Sequence, residues 1–180
     1  MLELDKTEIR NYISKVNFRS EEITREIILA EVLYYILELD LSLLNHEKSY
    51  IKADVRDHDI SIHLEGNNNE YPFFIFEISN ETIVDIRVGE GEGEYLFNEK
   101  MKDLKDIAIL RETLKDFFYN RLTEEVIYCS GSVIGNNCAL PYELNGETKI
   151  YIFKKRMGGC LPWNKKVVKR IYKPWIEKIE

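Results

Sequence analysis

The chain has 180 residues, 44% hydrophobic and 32% charged, a composition that describes a folded domain and excludes a disordered one. Its net charge of −7 is unevenly spread: residues 151–180 hold nine basic and two acidic residues, or +7, which leaves −14 on residues 1–150. Such a division bears on association and long-range fields, not on fold. A chain this long builds one well-buried core and is short for two, so residues 1–180 are expected to form a single α+β domain.

Three cysteines, Cys129, Cys138 and Cys160, form no CxxC pair, which predicts reduced thiols and a cytoplasmic protein. One disulfide plus a free thiol in an exported protein is the alternative. The segment Met1–Arg10 lacks the apolar region of a signal peptide. The apolar stretch from Ile27 to Leu44 carries Glu31, Glu38 and Asp40, each costing about 2.5–3.5 kcal/mol at a bilayer centre, and so reads as a buried helix.

In chain order, Asp5 to Val16 predicts a short helix with Asp5 and Glu8 spaced as a capping box. Ser20 is expected to cap a second helix running to about Leu44, with Glu31, Tyr35, Glu38 and Ser42 on one polar stripe. Its other sides are apolar, which makes it the expected central helix of the core. From Tyr50 to about Phe97 alternation predicts strands. If Asp57-His58 is a two-residue turn, Val55 faces Ile60 and the apolar sets share one side. Phe74, Phe76, Ile78, Val84, Ile86 and Val88 extend that side, giving an antiparallel meander packed on the long helix. A mid-chain helix is expected over about 102–122. A second group of strands follows, with Asn145-Gly146 as a hairpin turn. After Pro162, the spacing of Trp163, Val167, Val168, Ile171 and Tyr172 predicts a basic C-terminal helix, with Lys165, Lys166, Lys169, Arg170 and Lys173 on its other arc.

Several groups could carry chemistry. A basic amphipathic helix suits nucleic acid or an anionic lipid surface, though a charged helix face is more often simply solvated. The run Gly89-Glu90-Gly91-Glu92-Gly93-Glu94 matches neither GxGxxG nor the Walker pattern, and its glutamates would repel phosphate. As an acidic loop it could meet a basic protein. If Asn80-Glu81-Thr82 is a three-residue turn, Glu77 lies opposite Asp85 on the solvent face of the sheet, a like-charge pair that Arg87 could relieve. Asp59 and His63 are weak metal ligands, two residues where three or four are needed. Cys160, beside Gly158-Gly159, has no evident histidine partner, and no GxSxG is present.

No catalytic motif emerges and no cofactor is implied. The leading expectation is a small acidic binding protein, such as an immunity-type inhibitor that neutralises a basic toxin or nuclease. It would act through Glu77, Asp85, Glu90, Glu92 and Glu94. The alternatives are nucleic-acid or membrane binding through the basic segment, and a metal-dependent hydrolase built on Asp59, His63, Glu77 and Asp85.

Overall fold

The computed structural model describes residues 4–20, 22–53, 60–79, 82–89, 94–144, 147–156 and 158–177. The first helix, α1 (Lys6–Ile13), starts where Asp5 accepts hydrogen bonds from the Thr7 and Glu8 amides at 2.8 and 3.0 Å. The second, α2 (Arg25–Glu38), is capped by Thr24 rather than Ser20. Ser20 instead accepts from the Glu22 amide in a local turn. Hydroxyl side chains cap wherever the backbone turns, so two in one stretch leave the start ambiguous. The helix also stops short of Leu44. Asp40 accepts from the Ser42 amide at 3.0 Å and begins a separate 3-10 turn, Leu41–Leu43, which takes Ser42 off the expected polar stripe.

Every residue of α2 from Ile27 to Leu33 is buried, so this helix needs cover on several sides, and α1 and α3 (Leu104–Tyr119) pack against it. The ring contacts with the sheet belong to α3. Phe117 and Phe118 lie 5.2 and 5.1 Å from Phe74, while Phe118 stacks on Tyr35 of α2 at 5.4 Å.

Five antiparallel strands form the first sheet in sequential order: β1 (Tyr50–Ala53), β2 (Ile60–Leu64), β3 (Phe73–Ile78), β4 (Ile83–Gly89) and β5 (Glu94–Lys100). The expected single-sided apolar set is present. Ile51, Ile62, Phe76, Ile86 and Phe97 form one cross-strand row, and all are buried. Its first register is not the expected one: Ile60 faces Ala53, not Val55. The difference is two residues, an even number, so inward and outward faces are unchanged. Residues 54–59, with the expected Asp57-His58 turn, lie outside the described residues.

The second sheet has the order β8-β7-β6-β9, from β6 (Thr123–Cys129), β7 (Ser132–Leu144), β8 (Glu147–Arg156) and β9 (Lys165–Ile171). Ser130 and Gly131, both at positive φ, make the two-residue β6–β7 turn. The expected turn at 145–146 is outside the described residues, but Leu144 pairs with Glu147 across it.

The predicted basic C-terminal helix is replaced by β9, preceded by a 3-10 turn at Pro162–Asn164. The doublets Lys165-Lys166, Val167-Val168 and Lys169-Arg170 fit a helical arc. Yet β-branched residues favour a strand, and the far edge of β6 offers a row of hydrogen-bonding groups that β9 pairs in full register. The chain then returns to the body. Tyr172 donates its amide to Leu122 O, Lys173 to Glu70 O and Ile176 to Phe118 O, while Trp175 stacks on Tyr71 at 5.0 Å.

Two of the three cysteines are not free: a disulfide joins Cys129 at the end of β6 to Cys160 ahead of β9, while Cys138 is a buried thiol. No helix of the described residues is long and apolar enough to cross a membrane.

Candidate functional site

The expected carboxylate pair is present. Glu77 faces Asp85 in the β3–β4 register. Arg87, one pleat along β4, donates to Glu77 Oε2 at 2.5 Å, and Asn98 Nδ2 donates to Asp85 Oδ1. Burial first, then the Glu77 charge, pushes the Asp85 carboxyl above the usual range. Each carboxylate of the pair thus has a donor within the sheet, and Arg87 offsets part of their joint charge. Glu90 and Glu92 lie outside the described residues, and Glu94 is placed only as the first residue of β5, opposite Val88.

Asp59 also lies outside the described residues. His63 sits half-buried on the outer face of β2, edge-on to Tyr50 at 5.6 Å and to Phe73 at 6.3 Å. Its pKa is lowered, chiefly by burial. A neutral ring wedged between two aromatics is a packing arrangement. Among the described residues, no group of three or more His, Cys, Asp or Glu side chains gathers as metal ligands would.

The five cations expected on one helix face are divided by the strand geometry. Lys165 and Lys169 share the outer face of β9, Lys166 and Arg170 the other, because strand neighbours alternate. Lys169 lies opposite Glu125 and Arg170 opposite Glu124. Lys173 is past the strand and pairs with Glu70 at 2.8 Å. The outer face of the second sheet nevertheless carries cations among bare apolar groups. One cross-strand row is Ile171, Thr123, Ala139 and Ile152, and the next is Lys169, Glu125, Asn137 and Lys154. Ile152 and Ile171 are 58% and 63% exposed, and Trp163, just before β9, is 77% exposed.

The inner face of that sheet holds a buried carboxylate that the sequence conceals. In Thr123-Glu124-Glu125 either glutamate could face water; Glu124 is the one turned inward, fully buried. It accepts from Asn136 Nδ2 at 2.9 Å and from the Tyr172 hydroxyl at 2.7 Å. Burial, then the Glu124 contact, raises the Tyr172 pKa. Glu124 Oε1 lies 2.8 Å from where a Cβ on Gly89 would be, and Gly89 has φ of +99°, so only glycine suits the end of β4. This network joins the two sheets.

Two concave surfaces flank α3. Between α2 and α3 runs a cleft of about 680 Å³, where Glu31, the polar stripe of α2, meets Arg111. Arg111 donates through Nε at 2.9 Å and Nη2 at 2.6 Å to the two Glu31 oxygens, which holds its own pKa up. Tyr119 donates to Glu38, and burial, then that contact, pushes its hydroxyl up to about 12. Charges in this cleft are of both signs and largely engaged with each other.

The larger surface, about 910 Å³, lies on the other side of α3, between that helix, β5 and the inner side of β7 and β8. Leu96, Phe97, Met101 and Leu140 are its buried lining, with Ile109, Tyr142 and Tyr151 closer to solvent. Four carboxylates, Glu99, Asp106, Glu112 and Asp116, also line it, and no Lys, Arg or His does so among the described residues. None of these four was singled out from sequence. The available signal was Ile109, an aliphatic residue on the polar side of α3, between acids at positions 106, 112 and 116.

Fold and surface together define a two-sheet α+β protein with an acidic groove beside α3 and a cationic sheet face beyond it. No known protein family matches the chain, and no solved structure does either. A segment of 65 residues, 36% of the chain, is 35% identical to the uncharacterized protein ZK1098.3 of Caenorhabditis elegans. That segment spans 8% of the relative's length.

Proposed function

We propose that this chain is a binding module that engages a cationic protein through its acidic side. The observation that carries the reading is the α3 groove, whose lining among the described residues includes Glu99, Asp106, Glu112 and Asp116 and no Lys, Arg or His. Complementary charge speeds encounter and rejects wrong partners. An inhibitor that sequesters a basic toxin or nuclease is the most concrete form of this function. Glu77 and Asp85 are not offered as contacts, because Arg87 and Asn98 already hold them. The Cys129–Cys160 disulfide favours an oxidising compartment over the reduced cytoplasm that the cysteine count suggests.

A second reading rests on the outer face of the second sheet. Lys154, Lys165 and Lys169, interleaved with Ile152, Val167 and Ile171, suit an anionic membrane surface. One experiment separates the two. Affinity isolation from the source cells is run with the wild type, with Glu99→Lys/Glu112→Lys, and with Lys165→Glu/Lys169→Glu. The first reading expects a basic protein that is lost only with the first variant. A lipid or acidic partner lost only with the second contradicts it.

A further inference from the structure

We infer that the groove between α3, β5 and the second sheet takes an amphipathic cationic polypeptide segment, one whose large apolar side chains are flanked by Lys or Arg. The inference rests on the binding reading above and specifies the chemistry of the occupant. Charge alone would be served by any exposed acidic surface, and this groove is more than that. Its floor is apolar, formed by Leu96, Phe97 and Leu140, each under about a tenth exposed. Its walls keep Ile109 and Tyr151 open to solvent at 58% and 51%. Apolar surface of this kind, rimmed by charge, gains from being covered.

The carboxylates are placed at that rim. Along α3, Asp106, Glu112 and Asp116 span ten residues, or about 15 Å of helix. Glu99 stands on β5 across from them. Asp106 is partly engaged, since it accepts from the Lys102 amide at 2.7 Å as part of the α3 cap, and Glu112 has Lys115 at 3.5 Å. Neither contact brings a basic side chain into the groove lining. A length of about 15 Å admits about ten residues of a partner helix or about five of an extended strand. A polyanion such as nucleic acid is repelled by the same four charges. A second copy of the chain would have to present its cationic sheet face to this groove, and that is an outcome the test detects.

The test is fluorescence anisotropy at about 0.1 M salt, with three labelled synthetic peptides of about ten residues: alternating Leu–Lys, Ser–Lys and Leu–Glu. Wild-type protein is expected to bind Leu–Lys at least about tenfold more tightly than Ser–Lys, and to ignore Leu–Glu. Ile109→Ser and Tyr151→Ser, both at exposed positions, are each expected to weaken Leu–Lys binding about fivefold with unchanged circular dichroism. Glu99→Lys/Glu112→Lys is expected to weaken it more than about tenfold, and Lys165→Glu/Lys169→Glu not at all. Equal binding of Leu–Lys and Ser–Lys, with no effect of Ile109→Ser, would overturn the amphipathic groove and leave the cationic-partner reading standing. Failure of the wild type to bind either lysine peptide would remove both. Concentration-dependent self-association lost in Lys165→Glu/Lys169→Glu would assign the groove to a second copy and also overturn the inference.

Discussion

The two sheets of this protein treat their outer faces differently. On the first sheet, the outward row answers its own chemistry: Arg87 holds Glu77, Asn98 holds Asp85, and His63 lies between Tyr50 and Phe73. On the second, Ile150, Ile152, Val167 and Ile171 stand bare beside Lys154, Lys165 and Lys169, with Glu125 set among them. The comparison teaches that like charge in a sequence is a poor guide to an open site. Of the acids visible by spacing, Glu77 and Asp85 find donors within the sheet, while the acids that line the α3 groove are scattered in sequence and gathered by α3 and β5.

The strongest way to break this comparison is to remove residues 161–180. If the second sheet is integral, that truncation strips β6 of its β9 partner and deletes the buried Tyr172, Trp175 and Ile176. We expect an insoluble or unfolded product by circular dichroism; a cooperatively melting truncation would show the basic segment to be an appendage. Next in size is a matched pair of substitutions. Phe118→Ala, in the ring cluster under the first sheet, is expected to cost about 3–5 kcal/mol. Ile152→Ser on the bare face should change stability by no more than about 0.5 kcal/mol in urea melts. A large loss from Ile152→Ser would mean that face is covered.

A third prediction concerns the α2–α3 cleft. Arg111→Ala leaves the buried Glu31 carboxylate without its bidentate partner, and about 2 kcal/mol of stability should be lost. Glu31→Gln/Arg111→Ala should recover part of it, since no bare charge remains.

The smallest effect is pH-dependent. Asp85 is raised by burial and by Glu77, so the folded state prefers it protonated. That preference supports folding below the ordinary carboxylate pKa and is lost as pH rises through the raised value. Charged Asp85 therefore works against folding at neutral pH. Asp85→Asn should raise Tm by about 1–2 °C near pH 7, an advantage that disappears at about pH 3. A lowered Tm near pH 7 would mean that the Asn98 contact outweighs the repulsion.

Much of the first sheet was legible because one face is buried and the other is not, which writes period-two alternation into residues 60–64, 73–78 and 83–88. The Glu77–Asp85 pairing needed a further assumption, a three-residue turn at 80–82, because alternation sets the face and not the register. The β1–β2 register was not legible, since a slip of two residues leaves the pattern intact. Strand β9 was misread because paired cations and paired valines satisfy helical and strand spacing alike, and only the open edge of β6 decides between them. The disulfide was hidden for a related reason: Cys129 and Cys160 are 31 residues apart and meet only once β9 lies on β6. The groove was the least legible feature. Its lining comes from four elements, and no single stretch carries its signature.

The most direct test of the central claim is a titration of isotope-labelled protein with the Leu–Lys peptide, followed by amide chemical shifts. The account predicts that the perturbed amides cluster on 96–101, 106–116, 140–142 and 151, around one groove. Perturbations concentrated instead on 165–171, or on the Glu77 and Asp85 face of the first sheet, would contradict it.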